Sequence, residues 1–85
     1  MKENITSGGA IVEYRLIEKD SRVYVEGRNK NEKDSNYGLY ATINESSDLI
    51  YYGDLSGKMC SEIIDFLHMN CIHVHDDGKA YRLSH

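Results

Sequence analysis

The chain of 85 residues has no proline, no tryptophan, one phenylalanine and two cysteines. Each scarcity excludes something. Two cysteines cannot build the disulfide framework of a small secreted domain, so a reduced, cytoplasmic protein is expected. No apolar run approaches the roughly 18–20 residues of a membrane-spanning helix. No basic segment leads into an apolar stretch, so no signal peptide is expected. Without proline, glycine and short polar residues must mark the turns. Excess positive charge is missing too: 10 basic side chains stand against 14 acidic ones, net −4. A general nucleic-acid binder is normally basic, so direct nucleic-acid binding is not expected. Nor is there a phosphate-binding loop, a nucleophile elbow or a dinucleotide fingerprint. Neither an enzyme nor a bound cofactor is expected.

What remains is ordinary for one globular domain, with 40% hydrophobic and 28% charged residues. A chain this short buries only about 60–65% of its unfolded surface, so the core must be thin. Residues 1–9, MKENITSGG, are polar, end in two glycines and read as a flexible N-terminal tail. That leaves 10–85 as a single α+β domain. Glycosylation-type triplets at Asn4 and Asn44 are chance matches without a signal peptide.

From Ala10 the pattern has a period of two. Val12, Tyr14 and Leu16 share one face; Glu13 and Arg15 take the other, together with Ile11 and Ile17. A turn at Lys19-Asp20-Ser21 leads into a second alternation, with Val23 and Val25 inward and Arg22, Tyr24 and Glu26 outward. Residues 28–36, RNKNEKDSN, form a long polar connection. A third strand runs from Tyr37 to Asn44, with Leu39, Ala41 and Ile43 on one face and Tyr40 on the other. After the turn Glu45-Ser46-Ser47-Asp48, a fourth strand covers Leu49 to Gly53.

Ser56 reads as an N-cap. On a helical wheel Met59, Cys60, Ile63, Ile64, Phe66 and Leu67 cover one face and Lys58, Ser61, Glu62, Asp65 and His68 the other, predicting an amphipathic helix over about 57–69. Asn70 suits a left-handed exit. The end of the chain reads as a hairpin, Ile72 and Val74 alternating with Cys71, His73 and His75, with Asp77-Gly78 as a two-residue turn before Tyr81 and Leu83. The predicted fold class is α+β: a two-layer domain, order β-β-β-β-α-β-β, with an antiparallel sheet and one amphipathic helix on one face.

The mild net charge hides an asymmetry. Residues 1–44 are neutral overall. Residues 45–77 carry Glu45, Asp48, Asp54, Glu62, Asp65, Asp76 and Asp77 against Lys58 alone, net −6; residues 78–85 add +2. The bland reading of that run is a solvated helix face; the functional one is a surface for a basic protein partner. Seven tyrosines are the other oddity. Tyrosine offers large rigid area with a polar tip, which suits binding, although cross-strand tyrosines also stabilise an open sheet face. The expected partner-binding residues are Asp48, Tyr51, Tyr52, Asp54, Glu62, Asp65, Tyr24 and Tyr40.

Two further chemistries are weighed. Cys71, His73 and His75 alternate along one strand, so their side chains share a face, and zinc prefers such donors. The spacing is not a zinc signature, and same-face neighbours about 7 Å apart strain joint coordination. A metal-binding module is therefore the alternative function, not the expectation. A stacking platform for nucleic acid from Arg15, Lys19, Arg22, Arg28, Lys30 and Lys33 with Tyr24 and Tyr40 is opposed by the acidic residues interleaved with them.

The stretch from Tyr37 to His75, YGLYATINESSDLIYYGDLSGKMCSEIIDFLHMNCIHVH, resembles small uncharacterised proteins of clostridia and related bacteria. These share a Tyr-Gly-apolar strand, an acidic turn, one amphipathic helix and an Asn-x-apolar-x-His ending. The likeness covers less than half of the chain, departs after Asp76 and transfers no functional residue. In size, acidity and lack of motifs the chain also resembles, as a class, phage inhibitors of bacterial defence, including anti-CRISPR proteins. The expectation is a small non-catalytic protein-binding domain, an inhibitor that offers carboxylates to the basic groove of a nucleic-acid-handling complex. A self-associating regulatory or structural homodimer is the other alternative, with no membrane contact in any of the three.

Overall fold

The computed structural model describes residues 12–29 and 36–83 in full and the backbone of 2–8. Among the described residues seven strands and one helix follow in the order β1 (Lys2–Gly8), β2 (Val12–Lys19), β3 (Arg22–Asn29), β4 (Gly38–Ile43), β5 (Leu49–Tyr51), α1 (Gly57–Met69), β6 (Ile72–Val74) and β7 (Ala80–Arg82). Strands β1 to β5 pair antiparallel in chain order as one meander, and β6 pairs with β7 in a separate hairpin. The helix covers one face of the meander, giving the two-layer α+β arrangement the periodicities predict. Much of the polar connection at 28–36, with Lys30 and Lys33, falls outside the described residues, as do Ile11 and His85.

Residues 2–8, read from sequence as a loose tail, instead pair with β2 from Lys2↔Glu18 to Gly8↔Val12. With one apolar residue, Ile5, the segment has no alternation to detect. Its strand is made by backbone pairing along the open edge of β2.

The β2–β3 hairpin closes through Asp20 and Ser21, whose φ values of 52° and 63° are those of the two-residue turn that matches strand twist. That register sets Leu16 against Val25 and Arg15 against Glu26. Tyr14, Leu16 and Val25 are buried, and with Ala41, Ile43, Ile63, Phe66, Leu67, Ile72 and Ala80 they form the core. The helix begins where Ser56 Oγ accepts the Met59 amide (3.2 Å), and Ile63, Phe66 and Leu67 meet the sheet. Tyr14 anchors the two layers. Its ring lies 5.8 Å from Phe66, and its hydroxyl donates to Glu62 Oε1 at 3.1 Å. Burial first, and the Glu62 carboxylate second, push that hydroxyl far above the usual tyrosine range.

Three local expectations are corrected. Val25 pairs with Ala41 but Glu26 pairs with Leu39, so Tyr40 is the extra residue of a bulge. The bulge inverts the alternation there. Tyr40 turns to the core side, edge-on to Tyr14 at 5.9 Å, while Leu39 is left 39% exposed. At the helix end Asn70 has φ −101°, and the left-handed position belongs to Cys71, at φ 65°. Asn70 instead closes the helix with its side chain, Nδ2 donating to Phe66 O at 2.9 Å. In the last hairpin Gly78 donates to His75 O and His75 donates to Lys79 O, so the turn centres on Asp76-Asp77, with Gly78 at φ 87°.

Candidate functional site: an acidic-rimmed groove

On the sheet face away from the helix, four charges of β2 and β3 pair with one another. Glu13 and Arg15 on β2 face Arg28 and Glu26 on β3 in register. Arg15 Nε donates to Glu26 Oε1 at 2.7 Å, and Arg28 Nε to Glu13 Oε1 at 2.9 Å. Tyr37 lies under both guanidinium groups, 4.0 Å from Arg15 Cζ and 4.6 Å from Arg28 Cζ, and its hydroxyl donates to Glu13 Oε1. Burial and the Glu13 carboxylate raise the Tyr37 pKa. Here the interleaved signs satisfy one another, and the arginines are held by carboxylates rather than offered to phosphate. Sequence reasoning missed Tyr37 in this network; opposite charges two residues apart on both arms of a hairpin were the available signal.

The helix side differs. Between β5, α1 and the β6–β7 hairpin runs an open groove lined by Leu49, Tyr51, Ile64, Val74, His75, Asp76 and Gly78. Its apolar wall follows from three periodicities. Tyr51 pairs with Ala41 and shares its inward face, Ile64 follows the buried Ile63, and Val74 alternates with the exposed His73. Burial raises the Tyr51 pKa, with Cys60 nearby as the lesser cause. Every lining residue but Gly78 belongs to the segment 45–77, so the groove and the net −6 charge share one stretch of chain.

The hairpin is fastened beside the groove by a reciprocal tie. Leu49 donates its amide to Gly78 O (2.9 Å), and Ala80 donates to Ser47 O (2.8 Å). Both carbonyls come from left-handed residues, Ser47 at φ 65° and Gly78 at φ 87°. Lys79 Nζ adds an ion pair to Asp48 Oδ1 (2.6 Å) and a hydrogen bond to Ser46 O (3.2 Å). The bond from Lys79 lowers the Asp48 pKa, and the same contact raises that of Lys79. Arg82 is paired with Glu18 on β2.

The expected partner-binding residues therefore separate. Tyr51 lines the groove, and Asp48, which precedes the lining Leu49 in the chain, is occupied by Lys79. Glu62 is half-buried and receives the Tyr14 hydroxyl, a tie between layers. Asp54 and Asp65 are exposed. Tyr24 is half-buried opposite Thr42, which is outward by strand alternation, so Tyr24 belongs to the far sheet face. Alternation puts Tyr52 there too, 45% exposed. Tyr40 packs on the core side. The structure thus splits the tyrosines and brings Leu49, Ile64, Val74, His75 and Asp76 to the groove instead. Periodicity marks Ile64 and Val74 only as core, because it cannot show where two elements diverge.

Among the described residues no three His, Cys, Asp or Glu side chains are grouped to hold a metal ion. Cys71, at its left-handed turn position, precedes β6 and is not in line with His73 and His75. Both cysteines are free thiols. No helix among the described residues is long and apolar enough to cross a membrane. Comparisons with models of protein families, with curated proteins and with solved structures find no match.

Proposed function

We propose that the chain is a non-catalytic protein-binding domain whose groove receives an extended or helical segment of a partner bearing apolar and basic side chains. One observation carries the reading: Leu49, Tyr51, Ile64 and Val74 line an open groove inside the only strongly acidic third of the chain. The apolar wall supplies burial, and the carboxylates of the same segment, Asp76 in the lining itself, select cationic neighbours and speed encounter. Asp48 is occupied by Lys79, and Glu45 lies 3.6 Å from Arg22, so the carboxylates that serve are the exposed Asp54, Asp65, Asp76 and Asp77. Basic surfaces of this kind are presented by proteins that handle nucleic acid, and inhibition of such a complex by occupation of its basic groove is the specific role proposed.

The test uses the purified chain as bait for a random displayed peptide library. Selected peptides are expected to combine Lys or Arg with large apolar residues. They should bind less well as salt rises and lose affinity for an Ile64→Glu variant. Selected peptides without basic enrichment, or peptides that bind Ile64→Glu as well as the parent, would refute the proposal.

A further inference from the structure

On the outward face of the β6–β7 hairpin lies a row of rings of which only His75 also lines the groove. His73 and His75 are exposed and meet edge to face with centroids 4.8 Å apart. His75 rests against the Tyr81 ring at 5.3 Å, and His68, from the last turn of α1, stands 6.0 Å from His73. The orientation is dictated from beneath. Ile72 is buried and Val74 half-buried, so the alternating His73 is turned to solvent, and His75 follows at the strand end.

We propose that His73 and His75 form an exposed two-imidazole chelate for a borderline divalent cation of the zinc or nickel class, with water completing the coordination. The spacing is the argument. A zinc ion sits about 2.0–2.1 Å from each imidazole nitrogen, and the ring centre lies roughly 1.2 Å behind it; two such ligands at a tetrahedral angle have centroids about 5.2 Å apart. The observed 4.8 Å is close to that value. Among the described residues neither imidazole has a hydrogen bond to another side chain or to the backbone, so no existing bond is given up when the nitrogens turn to an ion. Neutral imidazole nitrogen suits zinc, nickel and copper and not magnesium or calcium, which fixes the class of ion. The 6.0 Å separation of His68 from His73 corresponds to a much wider angle at a shared ion, so His68 is a weaker, outer contributor. Cys71 has no part in the site, which distinguishes it from the Cys71-His73-His75 set suggested by sequence alternation alone.

The experiment is calorimetric titration of the full chain with zinc and with nickel chloride near neutral pH, followed by imidazole resonances in NMR. One ion per chain is expected, with the His73 and His75 signals shifting together. His73→Asn and His75→Asn should each weaken binding about tenfold or more, His68→Asn less than either, and Cys71→Ser and His85→Asn not at all. Because both rings are exposed, the circular dichroism of the variants should match the parent. Binding that survives in the His73→Asn/His75→Asn double variant, or that disappears in Cys71→Ser or His85→Asn, would overturn the proposal, as would no binding of either ion. Peptide capture by the groove is a separate readout, so each proposal fails on its own.

Discussion

Replacing Gly27 by alanine measures how little room the core has. A methyl group there would lie 3.2 Å from Val12 Cγ1, 3.3 Å from Tyr14 Cδ1 and 3.3 Å from Tyr40 Cε2. Ordinary carbon contacts begin near 3.5 Å, so three neighbours must each yield a few tenths of an ångström. Val12 and Tyr40 are half-buried and can move. Tyr14 cannot. It is fully buried, its ring is wedged against Phe66 and Tyr40, and its hydroxyl is fixed on Glu62. Two terms oppose. Alanine restricts the unfolded chain, which favours folding by about 0.4–1 kcal/mol where the site accepts it. Overpacking of a tight core costs about 1–3 kcal/mol. The second term wins, and Gly27→Ala should lose about 1–2 kcal/mol, which for a domain of this size lowers Tm by roughly 4–15 °C. Gly38 provides the control. It pairs with Gly27 across the β3–β4 ladder, yet a methyl group there meets nothing within 4 Å. Gly38→Ala should be neutral or up to about 1 kcal/mol more stable. Urea and thermal unfolding of both variants read the difference directly. If Gly27→Ala is as stable as the parent, or indistinguishable from Gly38→Ala, the crowding argument is wrong.

Two further outcomes follow from single residues. Cys71 holds a left-handed φ of 65° that costs a side-chain-bearing residue energy, so Cys71→Gly should raise stability by about 0.5–1 kcal/mol in urea unfolding. The Asp48–Lys79 tie has a definite pH window. The Asp48 pKa is held below its ordinary 3.8, so the carboxylate's contribution is present above that pH and is lost as pH falls through the lowered value. The Lys79 pKa is held above 10.5, so the ammonium's contribution is present below that pH and is lost as pH rises through the raised value. Protection of the Leu49 and Ala80 amides relative to their intrinsic exchange rates should therefore fall at both extremes, and in Lys79→Met it should already be reduced at neutral pH; unchanged protection in Lys79→Met would show that the ion pair adds nothing to the tie.

The parts of the fold that a periodic face dictates were legible from residues alone. Val12, Tyr14 and Leu16 share the core side with Val23 and Val25 as expected, and the helix runs over the 57–69 that its apolar wheel and the Ser56 cap predict. What escaped is what depends on a partner strand. A bulge is a mismatch between two ladders, so nothing in GLYATI announces that Tyr40 will turn inward and Leu39 outward. β1 exists through the edge it completes, not through its own pattern. The groove was half visible. The charge run marked the right third of the chain, but carboxylates are read one by one in a sequence, and only the fold shows that Asp48 is already taken by Lys79 and Glu62 by Tyr14.

The reciprocal tie between the Ser47 and Gly78 corners bears on how the chain is made. The meander is local, each strand pairing with the one just before it, so it can assemble as it leaves the ribosome. Its last strand, β5, then presents an unpaired backbone edge. The residues that occupy part of that edge come late, with Lys79 reaching back 33 positions to Ser46. During that interval β5 is a template that another nascent chain can extend. The segment that completes the fold thus also covers part of that edge.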